Sequence, residues 1–282
     1  MPKYPVDPLD LSGLRTYPLK SRKSKVGLDD LGGVPAGETF REFWESLPGV
    51  LAARDLKDLV RSIKKARGRG RAILWGLGAH VIKVGLSPLV IHLMEQGYVS
   101  GLALNGAGII HDFEMALVGQ TSEEVEEGLG SGEFGMAEET GSLLNRAIEE
   151  GVGKGMGIGE AIGAFLDQHK PQFMHLSLIW AGYRLSIPVT VHVAVGTDII
   201  HMHPQASGER LGKGSLQDFR LLAALVQRLD DGGVYLNVGS AVVLPEVFLK
   251  AVSVVRNLGH PLSNFSTASF DFMRHYRPRK NV

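Results

Sequence analysis

Residues 72–117 read AILWGLGAHVIKVGLSPLVIHLMEQGYVSGLALNGAGIIHDFEMAL, and this stretch decides the fold. Two short apolar runs, 72–75 and 99–104, each end in glycines, and an amphipathic segment of helix length, 87–94, lies between them. A further helix begins near Ile110. Strands that alternate with helices predict βαβ units and a parallel sheet. In such sheets the ligand crevice lies beyond the carboxyl ends of the strands, so both glycine-rich turns are expected to face it.

Three more apolar runs extend this alternation along the chain. They cover 187–194, 233–238 and 262–267, and helix-like segments accompany them. The segment 175–181 fits either a short strand or a helix, and the tail 274–280 gives no clear signal. These patterns predict an α/β fold, with a Rossmann-like parallel sheet that has helices on both faces.

Two parts are predicted along the chain. Residues 1–70 form an N-terminal arm and helical extension, in which Thr39 and Glu42 have the spacing of a capping box. The basic run 20–25 lies in this arm, which we expect to wrap around the domain or a neighbouring subunit. Residues 71–282 form the Rossmann-like domain.

Composition excludes several classes of function. The 282 residues contain 30 Lys+Arg and 30 Asp+Glu, so no global field attracts nucleic acid. The chain has no cysteine, which excludes disulfides, thiolate catalysis and cysteine-ligated metals and agrees with a reducing cytoplasm. The N-terminus lacks the apolar core of a signal peptide, and no apolar run reaches membrane-spanning length. We therefore expect a soluble, cytoplasmic protein without nucleic-acid or membrane partners.

The two glycine turns, residues 76–80 and 105–108, are the first candidate site. Their small residues let backbone N–H groups approach a ligand's phosphates at a helix N-terminus. The alternative is that the turns only pack helix against strand. The segment 151–163 is also rich in glycine, but a helix precedes it rather than a strand, so we interpret it as a flexible connector.

Histidines and acids supply the candidates for chemistry. His111 and Asp112 begin a helix, where His111 would carry a proton or contact a ribose, whereas Asp112 either orients it or caps the helix. His201 and His203, on a strand, would share one face, a spacing used by metal sites. His192, Asp198 or Glu209 could complete such a site. The same segment could equally form an active site or a subunit contact without metal.

A fourth candidate is the segment Lys213–Asp218. A helix is predicted over 216–229, with Ser215 as its N-cap and Asp218 three residues further on. The alternative interpretation is that Gly214 and Ser215 hold a ligand hydroxyl or phosphate.

Several of these motifs, in order, resemble deoxyhypusine synthase and the family that shares its NAD-binding fold. The resemblance spans residues 74–271 and includes the segment 79–117, GEFGMAEETGSLLNRA, KGSLQDF, YLNVGSAVV and FSTASFDF. It implies that residues 71–282 form an NAD-binding domain and that the protein assembles as a homo-oligomer, a tetramer or dimer. The cofactor contacts that the glycine turns and the resemblance imply are Gly78, Ala79, His80, Asn105, Gly106, Ala107, Gly214, Ser215, Gly239, Ser240, Thr267 and Ala268.

The chain departs from this family where the family's chemistry occurs. The family's catalytic lysine, in a Trp-Gly-Lys context, is absent, and only Arg279-Lys280 follows the Thr-Ala motif. Its catalytic histidine is replaced by Leu244-Pro245, and acidic NAD contacts correspond to Lys213 and His111. Because the lysine is the nucleophile that carries the aminobutyl imine, the chain is expected to be a divergent paralogue that does not synthesise deoxyhypusine.

The function expected from these observations is NAD-dependent redox chemistry on a small amine or amino acid. The candidates for the acid–base group are His111 and His201, with Asp112 or Asp198 orienting them. One alternative is a metal-dependent hydrolase that uses His201 and His203. The other alternative is a non-catalytic nucleotide-binding protein.

Overall fold

The computed structural model of the protein describes residues 4–282. The chain divides into two compact units, Met1–Asp58 and Leu59–Val282. Most residues of the first unit up to position 46 are exposed, and its short helix begins at Phe40. Thr39 caps that helix by accepting a hydrogen bond from the Glu42 amide, and Glu42 in turn accepts one from the Thr39 amide. The capping box read from the sequence is therefore confirmed.

The second unit contains a five-stranded sheet with helices. The strands are β1 (Ile73–Leu77), β2 (Gly101–Asn105), β3 (Val189–His192), β4 (Gly233–Val238) and β5 (Phe265–Phe270). The α-helices of the described chain are α1 (Phe40–Ser46), α2 (Leu51–Gly68), α3 (His80–Lys83), α4 (Ser87–Glu95), α5 (Gly106–Val118), α6 (Val125–Ser131), α7 (Glu138–Gly153), α8 (Ile158–His169), α9 (Leu178–Leu185), α10 (Gly208–Gln227), α11 (Val243–Asn257) and α12 (Tyr276–Asn281).

All strand pairs are parallel, in the order β3-β2-β1-β4-β5. The chain therefore proceeds from β1 towards one edge and then returns to the other side of β1 for β4. The order reverses between β1 and β4, and a crevice at such a reversal is where ligands bind in open α/β sheets. The prediction of an α/β fold with a parallel sheet is confirmed.

The strands β1 to β4 are mostly buried on both faces, which explains why they read as continuous apolar runs. In β2, Leu102 and Leu104 belong to a core cluster that includes Phe113 of α5. Ala103, between them, points to the opposite face and belongs to a cluster that includes Leu225 of α10 and Phe248 of α11. The period-two alternation of a strand thus sends neighbouring residues into two separate cores.

Side chains of α10 satisfy the free edge of β3. The Asp218 carboxylate accepts from the Val191 amide at 2.9 Å, and Ser215 Oγ accepts from the Val193 amide at 3.2 Å. Ser215 Oγ also donates to the Val191 carbonyl at 3.1 Å. Because an unpaired strand edge is a template for aggregation, these bonds protect β3. The prediction of Ser215 as a helix N-cap is wrong, since α10 begins at Gly208 and its cap is Ser207.

The glycine-rich segment 151–163 is not a long connector, because α7 continues to Gly153 and α8 begins at Ile158. Its glycines permit close packing. A Cβ atom on Gly151 would overlap Ala161, and one on Gly159 would overlap the Val189 carbonyl. The N-terminus of α8 is also occupied, because Asp218 accepts from the Gly159 amide at 3.1 Å.

Three local predictions need correction or completion. His201 lies in a 3-10 turn, Ile199–Met202, and not on a strand. The ambiguous segment at 175–181 forms a 3-10 turn, Met174–Leu176, followed by α9. The basic tail forms α12.

No helix within residues 4–282 combines the length and the apolar character that crossing a bilayer requires.

The glycine packing predicts an effect on stability. Replacing Gly159 by alanine should lower the free energy of unfolding by about 1–3 kcal/mol, because the new methyl group overlaps the Val189 carbonyl and must push α8 from β3. Gly153→Ala is the matched control, since a Cβ atom there meets nothing within 4 Å. Urea unfolding of both variants measures the difference, and equal stability of the two would contradict this packing role.

Candidate functional site

The turns after β1 and β4 meet at the reversal of strand order. The Gly78 amide donates to the Val238 carbonyl at 2.8 Å, and a Cβ atom on Gly78 would overlap the Gly239 carbonyl. Ser240 Oγ accepts from the Leu244 amide at 3.3 Å, near the start of α11. These predicted cofactor residues are therefore brought together, but their polar groups largely bond to the protein. For Gly78 the packing interpretation accounts for the missing side chain.

The resemblance implied that Thr267 and Ala268 lie in a turn, but they do not. They lie inside β5, where they pair with Tyr235 and Leu236 of β4, and the strand continues to Phe270. Thr267 Oγ1 donates to the Val282 carbonyl at 2.6 Å. Their position before the carboxyl end of the strand separates these two residues from the turns beyond it.

Gly214 and Ser215 are used in packing. A Cβ atom on Gly214 would lie 2.7 Å from Val152 and 2.8 Å from Ile158, so this glycine lets α10 approach α7 and α8. The hydroxyl of Ser215 binds the edge of β3 through Val191 and Val193.

The turn after β2 opens onto a cavity. Asn105 Oδ1 accepts from the Gly108 amide at 2.9 Å and so caps α5. The Asp198 carboxylate lies against Gly106, where a Cβ atom would overlap it. Ala107, in the first turn of the helix, lines the cavity. At this turn the predicted cofactor site borders the cavity.

The cavity has a volume of about 230 Å³. One wall is α5 with Lys83 from α3, and the other comes from the segments around residues 122–134 and 197–199. Its polar side chains are Lys83, His111, Glu114, Ser122, Glu123, Thr197 and Asp198.

A chain of hydrogen bonds fixes the His111 ring at this cavity. His111 Nδ1 lies 2.7 Å from Thr121 Oγ1, and Thr121 Oγ1 donates to Glu114 Oε2 at 2.5 Å. Thr140 Oγ1 donates to the other oxygen of Glu114 at 3.0 Å. Burial, with smaller effects from the nearby Lys83 and His80, lowers the pKa of His111 to about 4. The imidazole is therefore neutral at neutral pH.

Asp198 is a buried acidic residue of the cavity. Its Oδ2 is buried without a hydrogen-bond partner in residues 4–282, and burial raises the pKa of this carboxyl despite the opposing effect of His201. Glu123, a second acid of the cavity, accepts from the Gly135 amide at 2.8 Å and so fastens the surrounding loop.

Asp112, predicted to orient the catalytic histidine, points away from the cavity. Its fully buried carboxylate accepts from Ser177 Oγ, from the Leu178 amide at 2.7 Å and from the Ile179 amide at 3.2 Å. It therefore caps α9, another part of the fold, and this position gives no support to the predicted catalytic role. Burial raises the pKa of Asp112 to about 6.

The histidines after β3 do not form a metal site. His201 Nδ1 accepts from the Gly196 amide at 3.1 Å and from the Asp198 amide at 3.3 Å, so it braces its own loop. His203 Nε2 donates to the Gly135 carbonyl at 2.9 Å. No group of three or more metal-ligating residues within 4–282 is placed to hold an ion. The metal-site alternative and the catalytic role of His201 therefore lose their geometric basis.

Sequence reasoning missed Glu114, Thr121, Thr140, Lys83 and Glu123 at this site. One signal was present, because His111 and Glu114 are three residues apart and lie on one face of a helix. Thr121 gave no signal, since it follows α5 in a loop whose path the sequence pattern does not specify.

Comparisons with known proteins show only limited similarity to this chain. No protein-family model and no curated protein matches the sequence. A cyanobacterial arginine dihydrolase of the ornithine–ammonia cycle, ArgZ, is 17% identical over 77% of this chain and 27% of its own, with a TM-score of 0.47. Unliganded AgrE is 13% identical over 78% of this chain and 31% of its own, with a TM-score of 0.49.

An Entamoeba histolytica protein provisionally named a deoxyhypusine synthase is 13% identical over 72% of this chain and 79% of its own, with a TM-score of 0.48. The chain spans about a third or less of the length of ArgZ and AgrE. At these identities and TM-scores the likenesses carry no argument about the function of this chain.

The position of Asp112 predicts a structural effect that depends on pH. Asp112→Asn should lower the free energy of unfolding by about 1–3 kcal/mol, because one buried donor near α9 loses its acceptor. The folded pKa, about 6, lies above the ordinary value of 3.8, so the folded state binds more protons between these values. This contribution to stability is largest near pH 4 and declines as the pH rises through 6.

The difference in unfolding free energy between wild type and Asp112→Asn should therefore be largest near pH 4 and shrink towards pH 7. Denaturant titrations of both proteins at several pH values measure it. A difference that grows from pH 4 to pH 7 would contradict this assignment.

Proposed function

We propose that the protein binds NAD and uses it for redox chemistry on a small amine or amino acid in the cavity beyond β2. The observation that carries the proposal is a neutral histidine, His111, held at a cavity that also contains carboxylates and a lysine. Perturbed histidines in a crevice at the carboxyl end of a parallel sheet are typical of catalytic sites.

The charges of the cavity favour an amine or amino acid. The cavity is lined by three acidic side chains, Glu114, Glu123 and Asp198, and by one lysine, Lys83. The electrostatic field inside it therefore attracts a cation such as an ammonium group. Lys83 is placed at the same cavity and could pair with the carboxylate of an amino acid. A substrate without a cationic group would lose this attraction.

The residues around α5 fit a nicotinamide dinucleotide. Asp198 Oδ2 is a buried acceptor without a partner among residues 4–282, which suits the donating hydroxyl of a ribose. Ala107, at the α5 N-terminus, leaves backbone close to the cavity. NAD, when bound, supplies the hydride acceptor, and the protein supplies orientation and a proton acceptor.

The role of His111 follows from its state. A substrate ammonium group must lose a proton before the adjacent carbon can give up a hydride and form an imine. Neutral imidazole can accept that proton, whereas an imidazolium could not. Burial, Lys83 and His80 oppose the positive charge that then resides on the ring, so the ring holds this proton only transiently.

Leu244 and Pro245 stand where the resemblance places the family's catalytic histidine, and neither side chain can exchange a proton. Leu244 is 1% exposed and belongs to the apolar core with α11, and Pro245 is buried beside it. Deoxyhypusine synthesis is therefore not part of the proposal, and the chain is best interpreted as a divergent member of that fold group with its chemistry moved to α5. The rival function is non-catalytic nucleotide binding.

Cofactor binding is the first test. Protein purified under native conditions should release NAD(H) on denaturation, detected by absorbance and mass spectrometry, or should bind added NAD(H) in calorimetry. Binding without turnover of any compound in a panel of amines and amino acids would favour the non-catalytic function. The absence of any NAD(H) or NADP(H) binding would refute the proposed function.

The second test separates chemistry from binding. His111→Gln should retain NAD(H) and lose turnover by about 100-fold or more, the range expected for a general base. His92→Gln is the matched control, because His92 lies exposed on α4 and does not line the cavity. Equal turnover of the two variants on the best substrate would remove His111 from the mechanism.

A further inference from the structure

The loop after α5 folds back against the helix face that carries His111 and Glu114. Gly119 ends α5 in the left-handed conformation, with φ 71°, and Ser122 has φ 76°. The return of the chain between them places Thr121 Oγ1 within hydrogen-bond distance of both His111 and Glu114. A hydroxyl group from the loop is thus inserted between two side chains of the helix.

The hydroxyl has only one proton, and this decides the protonation of the ring. An ionised carboxylate can only accept, so Thr121 must donate its proton to Glu114 Oε2. Thr121 Oγ1 can then only accept from His111, which requires a proton on Nδ1. In the neutral ring the other nitrogen, Nε2, is left as the acceptor.

We propose that Thr121 and Glu114 are positioning residues that hold His111 as the Nδ1–H tautomer, so that Nε2 is the proton acceptor at the cavity. This inference rests on the proposed function, in which His111 takes a proton from the substrate. A histidine in the other tautomer would present an N–H to the cavity and could not act as a base there.

The neighbours of the ring favour this arrangement. Thr140 donates to Glu114 Oε1, so both oxygens of the carboxylate are occupied and its plane is fixed. Lys83 and His80, on α3, lower the pKa of His111 and so oppose a second proton on the ring. Nδ1 is the only atom of this ring with a hydrogen-bond partner in residues 4–282.

The tautomer can be measured without knowing the substrate. Nitrogen-15 NMR near pH 7 distinguishes protonated from unprotonated ring nitrogens, and His111→Gln identifies the His111 signals among the 10 histidines. We expect wild type to show protonated Nδ1 and unprotonated Nε2. Thr121→Val should convert His111 to a mixture or to the Nε2–H form, because its Nδ1 loses its acceptor.

Two variants make the test specific. Thr121→Ser keeps the hydroxyl and should retain the wild-type tautomer, whereas a merely structural role would not predict this rescue. Thr197→Val, a valine substitution at the opposite wall of the cavity, should leave His111 unchanged. Should Thr121→Val not fold, Glu114→Gln provides the readout. The glutamine amide can donate to Thr121 Oγ1, so Thr121 is free to donate to His111, and the ring is no longer restricted to the Nδ1–H tautomer.

The inference is overturned if Thr121→Val, or Glu114→Gln in its place, keeps His111 fully in the Nδ1–H form. Failure of the proposed function would look different, since a protein that binds no nicotinamide cofactor would still show the tautomer in NMR. In an active enzyme, Thr121→Val should lower kcat and leave KM unchanged. The substitution changes which nitrogen of His111 carries the proton, but it does not change the shape of the cavity.

Discussion

The Asp218 carboxylate joins three elements on which the candidate site depends. It extends from α10, accepts from the Val191 amide on the edge of β3 and from the Gly159 amide at the start of α8. The loop that follows β3 then carries Asp198 to the first turn of α5, and this contact forms one wall of the cavity. A displaced β3 would move Asp198, so the geometry of the site depends on an interaction outside it.

Asp112 and Asp218 use the same physical device in different places. Each is a buried carboxylate on one helix that accepts backbone amides at the N-terminus of another, where the positive end of the helix dipole favours negative charge. Burial nevertheless dominates, and it raises the pKa of Asp112 to about 6 and that of Asp218 to about 7. Strongly shifted acids in this chain therefore mark helix junctions as well as chemistry, and geometry is needed to separate the two.

Much of the fold could be predicted from the sequence because parallel strands buried on both faces produce recognisable apolar runs. The start of α10 could not, because Ser215 has the sequence features of a cap, and only the edge of β3 determines how its side chain is used. Glycine spacing was also ambiguous, since a glycine that admits a phosphate and one that admits a carbonyl look alike in sequence. Gly78 and Gly159 belong to the second kind.

The site itself was predictable only where its residues lie on one element. His111 and Glu114 lie on α5, but their partner Thr121 comes from the loop after that helix, and Asp198 comes from beyond another strand. The segment Lys213–Asp218 shows the converse case, a motif that the fold itself explains. It contains two residues that bind the edge of β3, Ser215 and Asp218, so the fold requires them whatever ligand the protein binds. A short motif of this kind therefore indicates how the chain folds and does not by itself identify a ligand.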